Sequence, residues 1–469
     1  MSELNPNLLA TLGELADELV EQTGPTDNFV YVDISSIDRE TKKITDPKPL
    51  TLSQAPSRAK QLLRAGDVLV SMTRPNLNAV ALVPEQLDGA IGSTGFHVLR
   101  SRWLNPDFLL ALVQTQNFID AMSAVVQGAL YPAVRPRDIS AYSFPFETPA
   151  QQNRIVEKLE ELLSDLDAGV VELKVAQKKL GQYRQSLLKA AVEGALTADW
   201  REAQRKHTTL RETGAQLLQR ILTERRARWE AKQLAKFAEQ GKIPPKDWQK
   251  KYPEPARLDT SGLPELPEGW VWASLEQLLS QLRSGTAETS GRDATFYPVL
   301  KSSAVRQGAI DFSAVNFLQE SQCHTDNFLE VGDLLITRLS GSVEYVGCAA
   351  VVAEHAATSI QYPDRIFCGK LAFQSTALSA HIVTCLSGPV ARQRIEAAAK
   401  STAGHKRIAL SDLLPFPIPL PATAEISEIK KLVETGLQQL KSLHKNVDFS
   451  CKQSAAQRKN ILKAAFSGQ

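Results

Sequence analysis

An excess of charge of either sign is what this sequence most plainly lacks. In 469 residues, 54 Lys and Arg face 52 Asp and Glu, a net of +2. A chain coated in positive charge is excluded, so any contact with nucleic acid must rest on local basic groups. Cysteine is scarce: Cys323, Cys348, Cys368, Cys385 and Cys451 are odd in number, lie in the C-terminal third, and include no CxxC pair. That excludes a disulfide scaffold and argues against a zinc ribbon or a thioredoxin-like motif; scattered thiols in a reducing cytosol fit better. No run approaches the ~18 apolar residues of a membrane helix. The opening MSELNPNLLATLGELADELV has no basic region followed by an apolar stretch, as a signal peptide would. The expectation is a soluble cytoplasmic protein. With 43% hydrophobic and 23% charged residues, the composition is that of an ordinary folded chain. The length suggests about three domains.

Catalytic signatures are missing too. There is no GxxxxGK[ST] phosphate loop and no GxGxxG dinucleotide motif. An Asn/Asp-Pro-Pro-aromatic motif, as amino-group methylation of a base would need, is absent: Asn5-Pro6 and Asn105-Pro106 continue with Asn and Asp. GSTGF at 92–96 reads as a turn between strands. The seven histidines are scattered, without HExxH or His-x-His metal spacing. These absences point to a binding module rather than an enzyme.

What is present is repetition. FVYVDISSI at 29–37 is echoed by TFYPVLKSSAV, with Tyr297 answering Tyr31. RAGDVLVSMTRPNLNAVALV resembles EVGDLLITRLSGSVEYVGCAAVV, and Gly332-Asp333 answers Gly66-Asp67 at the same offset as the tyrosines. Each Gly-Asp reads as a turn, and the β-branched run after it as a strand. A second block repeats at a slightly larger, again constant, offset. Val134, Asp138, Ile139 and Pro145 stand against Ile408, Asp412, Leu413 and Pro419, and YRQSLLKAAVEG against QRKNILKAAFSG. Each copy thus runs from a mixed segment through a Pro-punctuated strip to a long helix. The strips, FPFETP at 144–149 and LPFPIPLP at 414–421, read as extended connectors outside any ladder, because proline denies the backbone donor.

Leu159, Leu166, Leu173, Leu180 and Leu187 recur every seven residues, with Ile155, Leu162, Gly169, Ala176 and Tyr183 on the complementary seam. That is a coiled-coil stripe. Ile429, Val433, Leu437, Leu440, Leu443, Val447 and Ile461 keep a weaker one, interrupted at Ser454. The periodicity fits both a rigid spacer within one chain and a dimerisation coil between chains. The repeat favours the first, because one chain supplies both partners. Between the copies, residues 201–263 hold 15 Lys and Arg against 8 Asp and Glu. Leu210, Leu217, Leu218, Ile221, Leu222 and Trp229 suggest an amphipathic helix with ERRARWEAK on its exposed side. A crossing with little regular structure follows, rich in proline. The basic face fits a solvated surface, or contact with a phosphate backbone or an acidic partner.

On these residues the chain resembles the specificity subunits of type I restriction-modification systems. GDVLVSMTRPNLNAV and GDLLITRLSGSVEYVG look like parts of that family's target-recognition domains. DISAYSFPFETPAQQNRIVEKLEELL and DLLPFPIPLPATAEISEIKKL resemble the start of its conserved helical regions, and LLKAAVEGALTADWRE and LPEGWVWASLEQLL also fit. The likeness covers essentially the whole chain. It implies an α+β fold: two similar globular target-recognition domains separated by two long, antiparallel coiled-coil helices, with an internal pseudo-two-fold repeat. The expected divisions are a first recognition domain at 1–148, a long helix at 149–192, a basic helical and Pro-rich connection at 193–263, a second recognition domain at 264–420 and a second long helix at 421–469. It further implies that each domain reads half of a split target in double-stranded DNA and that the helices set the spacer; half-sites on one face of DNA lie about 34 Å apart per turn. The implied partners are two modification subunits, which supply S-adenosylmethionine chemistry, and restriction subunits that translocate and cleave. No cofactor is expected in this chain. A structural adaptor that joins proteins through its coiled coil and never reads DNA is the rival reading. The first copy departs from the second: it lacks the PEGWVW lead-in of 267–272, and has Gln151-Gln152 where the second has Glu425-Ile426.

Base readout needs polar or basic side chains on segments that reach the grooves. The loop before each strip is the first candidate: His405, Lys406 and Arg407, with Arg392, Arg394 and Lys400 upstream, and in the first copy Tyr131, Arg135 and Arg137. The strand exit after Gly-Asp is the second: Arg74, Asn76 and Asn78, and Arg338 with Ser340. Lys301 and Arg306 are the third. Phosphate-positioning and base-reading members of this set are not separable by sequence.

Overall fold

The computed structural model describes residues 9–127, 132–206, 212–287, 291, 297–353, 359–402 and 404–466. Two units emerge, Met1–Ala176 with Asn446–Gln469, and Gln177–Lys445. Each takes a segment of both long helices, Pro149–Val192 and Thr423–Phe466.

In the first unit a three-stranded sheet runs Phe96–Leu99, Val68–Ser71, Val80–Leu82, beside a four-stranded sheet in which Phe29–Val32 lies parallel to Ile91–Ser93. The strand after the Gly-Asp turn is apolar on both faces because it separates two cores. Val68 and Val70 join Leu99, Phe108 and Phe118 on one side, and Leu69 joins Phe96 and Val98 on the other. The second unit repeats this: Leu334 and Ile336 face one cluster and Leu335 another, in a four-stranded sheet ordered Leu279–Ser284, Ile366–Leu371, Leu334–Thr337, Ala349–Val351. The two turns share their bonding. Gly66 and Gly332 sit at φ 89° and 90°, a region glycine enters without strain, and donate to Val83 O and Val352 O.

The proline strips are strands, contrary to the reading of them as connectors. Ser143–Pro145 pairs antiparallel with Leu9–Thr11, and Pro417–Leu420 with Val271–Ser274. Pro417 and Pro419 occupy alternate positions, so their missing donors fall on the edge away from the partner strand. Phe416 O accepts from Leu275 N on the paired edge, whereas Pro419 O is bonded to His381 Nε2 on the other. After each ladder a short helix is boxed at its start, Leu12–Leu15 by Thr11 with Glu14 and Leu275–Leu278 by Ser274 with Gln277. The first copy therefore keeps a counterpart of the second copy's opening strand and helix, even without the Trp lead-in.

Within each unit the helix segments run antiparallel. Leu159 and Leu462 bury together with Ala111 in the first, where Arg458 also pairs with Asp167. In the second, Leu188 and Ala191 bury with Ile429, Val433 and Trp270. Gly436 gives the helices close approach there: a Cβ would stand 2.7 Å from Leu187 Cδ2 and the leucine side chain would have to shift. Contact is narrower than a full coiled-coil seam, since Leu162 and Tyr183 are exposed.

The Glu425 substitution between the copies has a structural reason. Its carboxylate, 4% exposed, accepts from Thr197 Oγ1 at 2.7 Å, Arg201 Nη1 at 2.5 Å and Trp270 Nε1 at 2.9 Å. Trp270 belongs to the lead-in that the first copy lacks, and there Gln151 simply caps Thr148.

The connection forms the expected amphipathic helix, with Glu224, Arg226 and Arg228 exposed, but part of its basic face is engaged by the fold. Its helix, Gly214–Glu239, is part of the second unit's core through Leu217 and Ile221. A Cβ on Gly214 would collide with Leu420 O, so only glycine permits this approach. Arg225, in the face expected to be solvated, donates to Leu279 O and to Tyr252 Oη. The proline-rich crossing is clasped to the helix by aromatic rings, with Trp229 stacked on Trp248 at 5.8 Å and Tyr252 edge-on at 5.4 Å. Leu210 lies outside the described residues.

Candidate nucleic-acid interface

The Gly-Asp turn anchors the strand that leads to the candidate surface. In the first unit Asp67 is buried against Arg100, which donates from Nε at 2.8 Å and Nη2 at 2.7 Å in a bidentate fork. Asp333 takes the same place in the second unit, opposite Lys370 at 3.4 Å. A point charge at that distance compensates less, and burial raises the Asp333 carboxyl above its ordinary pKa. Sequence reasoning does not single out these pairs, although the duplicated Gly-Asp is their signal.

From this strand the chain enters a small ribbon, and here the first two candidate segments come together. Leu339 pairs with Arg407 and Ser340 with Lys406, while Lys400 and Ser401 pair with Arg407 and Lys406 from the other side. Ile408 N donates to Arg338 O and closes the base. Gly404, at φ 79°, lies in the turn. His405 and Arg407 share one face of the strand and Lys406 the other. Lys400, His405 and Arg407 are exposed, and Lys406 is half-buried.

The first unit forms the same crossing with single bridges. Thr73 and Gln127 both bridge to Ala133, Val134 N donates to Met72 O, and Arg74 N donates to Pro132 O. Arg74 adopts φ 49° and is exposed, as are Asn76, Arg135 and Arg137. Arg135 N donates to Asp138, and Arg137 stands 3.7 Å from the same carboxylate. Tyr131 lies outside the described residues.

Three candidates are held by the fold instead. Asn78 is buried; its amide donates to Val113 O at 2.8 Å and its Oδ1 accepts from Lys42 Nζ at 2.9 Å. It fixes the end of a left-handed turn and does not reach a surface. Burial, and then the charge of Arg458, bring the Lys42 amine down to about 8. Arg338 donates to Asp364 O and lies 5.6 Å over the Phe367 ring. Arg306 stacks 4.4 Å over Tyr345 and bonds Val305 O. Lys301 is exposed at the start of a turn near that hairpin. Upstream, Arg392 is tied to Val346 O and Glu344 O, and Arg394 lies 5.5 Å over Phe416. Among the described residues no group of three His, Cys, Asp or Glu could hold a metal ion, and no helix is long and apolar enough to cross a membrane.

The class defined by this architecture is a duplicated α+β module, each copy carrying a buried Gly-Asp turn, a ribbon and segments of two long helices. No family model matches the chain. It is similar to the EcoKI specificity subunit of type I restriction enzyme from Escherichia coli (strain K12), 23% identical over 363 residues, covering 77% of this chain and 65% of that protein. It is also similar to the EcoEI specificity subunit from Escherichia coli, 24% identical over 413 residues, with 76% of this chain and 65% of the relative covered. These matches span just under two thirds of the relatives' own length. A chain in a solved structure concerned with the assembly and conformational transition of the type I R-M system covers 99% of both chains at a TM-score of 0.67 and 22% identity. That likeness establishes the fold.

Proposed function

We propose that this chain is the DNA-reading specificity subunit of a cytoplasmic type I restriction-modification complex. Each unit reads one half of a bipartite target in double-stranded DNA. The long helices set the spacer and dock two modification subunits, which hold S-adenosylmethionine and methylate; restriction subunits translocate and cleave. The chain itself is non-catalytic and holds no cofactor.

One observation carries the reading most of the way: the same ribbon recurs at the same place in both repeats and exposes basic side chains, Arg74 in one and Lys400 and Arg407 in the other. In the first unit the crossing brings Arg74 to the segment that carries Arg135 and Arg137, which is distant in the chain; in the second the charge comes from residues 400–407 alone, and Leu339 and Ser340 complete the ribbon. That the relatives are specificity subunits of type I restriction enzymes supports the same reading. Binding of duplex DNA by the chain with its modification partners, measured across a salt series, tests it. A subunit that neutralises phosphates loses affinity steeply as salt rises; an adaptor shows no such slope. A flat salt response with no sequence preference rules the proposal out.

A further inference from the structure

The two repeats differ in one cover. In the second, the connecting helix lies across a patch built from Leu420, Leu279 and Phe373, with Gly214 against Leu420 O, Arg225 on Leu279 O and Arg220 4.6 Å over the Phe373 ring. The repeat gives each of these a counterpart in the first unit. Leu420 corresponds to Phe146, and Leu279 to Ala16, which is already buried in the first unit's core and whose carbonyl accepts from Arg100 N, so the open part of the counterpart patch lies at Phe146 and beyond. The strand register, Leu99 with Val68 and Gly369 with Leu334, and the helix caps Asn105 and Ser375 set Phe373 against Trp103.

Among the described residues of the first unit no helix takes the place of the connecting one. Trp103 is 49% exposed, with Arg102 6.0 Å over its ring, and Phe146 and Leu15 are half-exposed. Hydrogen bonds tie the parts of this patch into one surface: Ser101 Oγ to Leu15 O, and Gln152 Nε2 to both Trp103 O and Glu147 O. Glu147 at its edge is half-buried, has no ion-pair partner among the described residues, and has its pKa raised by burial. An exposed aromatic beside an uncompensated carboxylate suits a partner that brings both an apolar stripe and a cation.

We infer that the Trp103–Phe146–Glu147 face of the first unit is a docking site for a basic amphipathic helix of a partner protein. The internal template states its chemistry: a small residue at the closest approach, Leu and Ile three and seven positions on, and a basic side chain, here to meet Glu147 because Arg102 already stands over the Trp103 ring. This goes beyond the proposed reading of DNA, since the face is distinct from the ribbon residues and needs no nucleic acid.

The probe is a labelled peptide of residues 212–232 of this chain, which carries that pattern, titrated against the full chain by fluorescence anisotropy. Saturable binding is expected, weakened about tenfold or more by Trp103→Glu and separately by Glu147→Lys, and unchanged by Val390→Glu on the second unit. Unaltered thermal melting of both first-unit variants shows that folding is not the cause. Absence of binding overturns the inference, as does binding that survives both substitutions. Binding that appears only after residues 1–8 are deleted overturns it in favour of the chain's own segment as occupant. Self-association lost with Trp103→Glu overturns it in favour of a second copy.

Discussion

Asp67 and Arg100 show how much a single pair carries. Their side chains are 2% and 10% exposed, and the carboxylate also caps Arg64 N. Asp67→Ala leaves a buried guanidinium without its partner and is expected to cost about 3–5 kcal/mol, read as a fall in the urea midpoint of the full chain. Lys42 makes a prediction of opposite character. Its folded pKa of about 8 lies below the unfolded value, so between the two the unfolded chain binds more protons and stability rises with pH. The melting temperature of the natural chain, relative to Lys42→Met, is therefore expected to climb between about pH 8 and 10.5. Surface candidates behave differently again: Arg407→Ala, at an exposed ribbon position, is expected to weaken DNA binding and reduce the salt slope by about one if it meets a phosphate. Asn78→Ala is expected to lower stability by about 1–3 kcal/mol by leaving Val113 O without its amide donor and removing one of the two acceptors of Lys42, whose bond to the carbonyl of residue 78 remains, with DNA selectivity intact. Sequence reasoning groups Asn78 with Arg74 because both follow the Gly-Asp strand. Both take up a left-handed backbone, and what separates them is the packing of Asn78 against Val113 O and Lys42, residues far from it in the chain.

At the scale of elements, the duplication makes most of the architecture legible. The strands after Gly-Asp and both long helices follow from β-branched runs and heptads, which report local burial directly. The proline strips mislead because a missing donor matters only on the bonded edge, and sequence does not say which edge is bonded. Pro419→Ala is accordingly expected to change stability by less than about 1 kcal/mol. Ile418→Ala, at a fully buried ladder position, is expected to cost about 2–5 kcal/mol by denaturant unfolding. The connecting helix is where the apolar spacing puts it, and only some of its arginines mislead. Arginine heads that bond Leu279 O and Leu371 O look solvent-directed in a charge count, while their stems cover apolar surface. The Glu425 cluster, spread over Thr197, Arg201 and Trp270, is invisible in the sequence because its members are far apart in the chain.

For the whole molecule, the near-zero net charge conceals a division of labour. Residues 201–263 carry +7, while 1–148 carry −5 and 264–420 carry −3. Under the proposed function, acidic units would not attract DNA in bulk, so selectivity would rest on the few basic side chains at the ribbons and bulk affinity on helical parts and partners. The most direct test is the map of methylated adenines in cells that carry this chain with its modification partners. A single consensus in two short parts, separated by a gap of fixed length and arbitrary sequence, is the expected result. Methylation without a consensus, or at one uninterrupted motif, would contradict the claim that two repeated units each read half of the target.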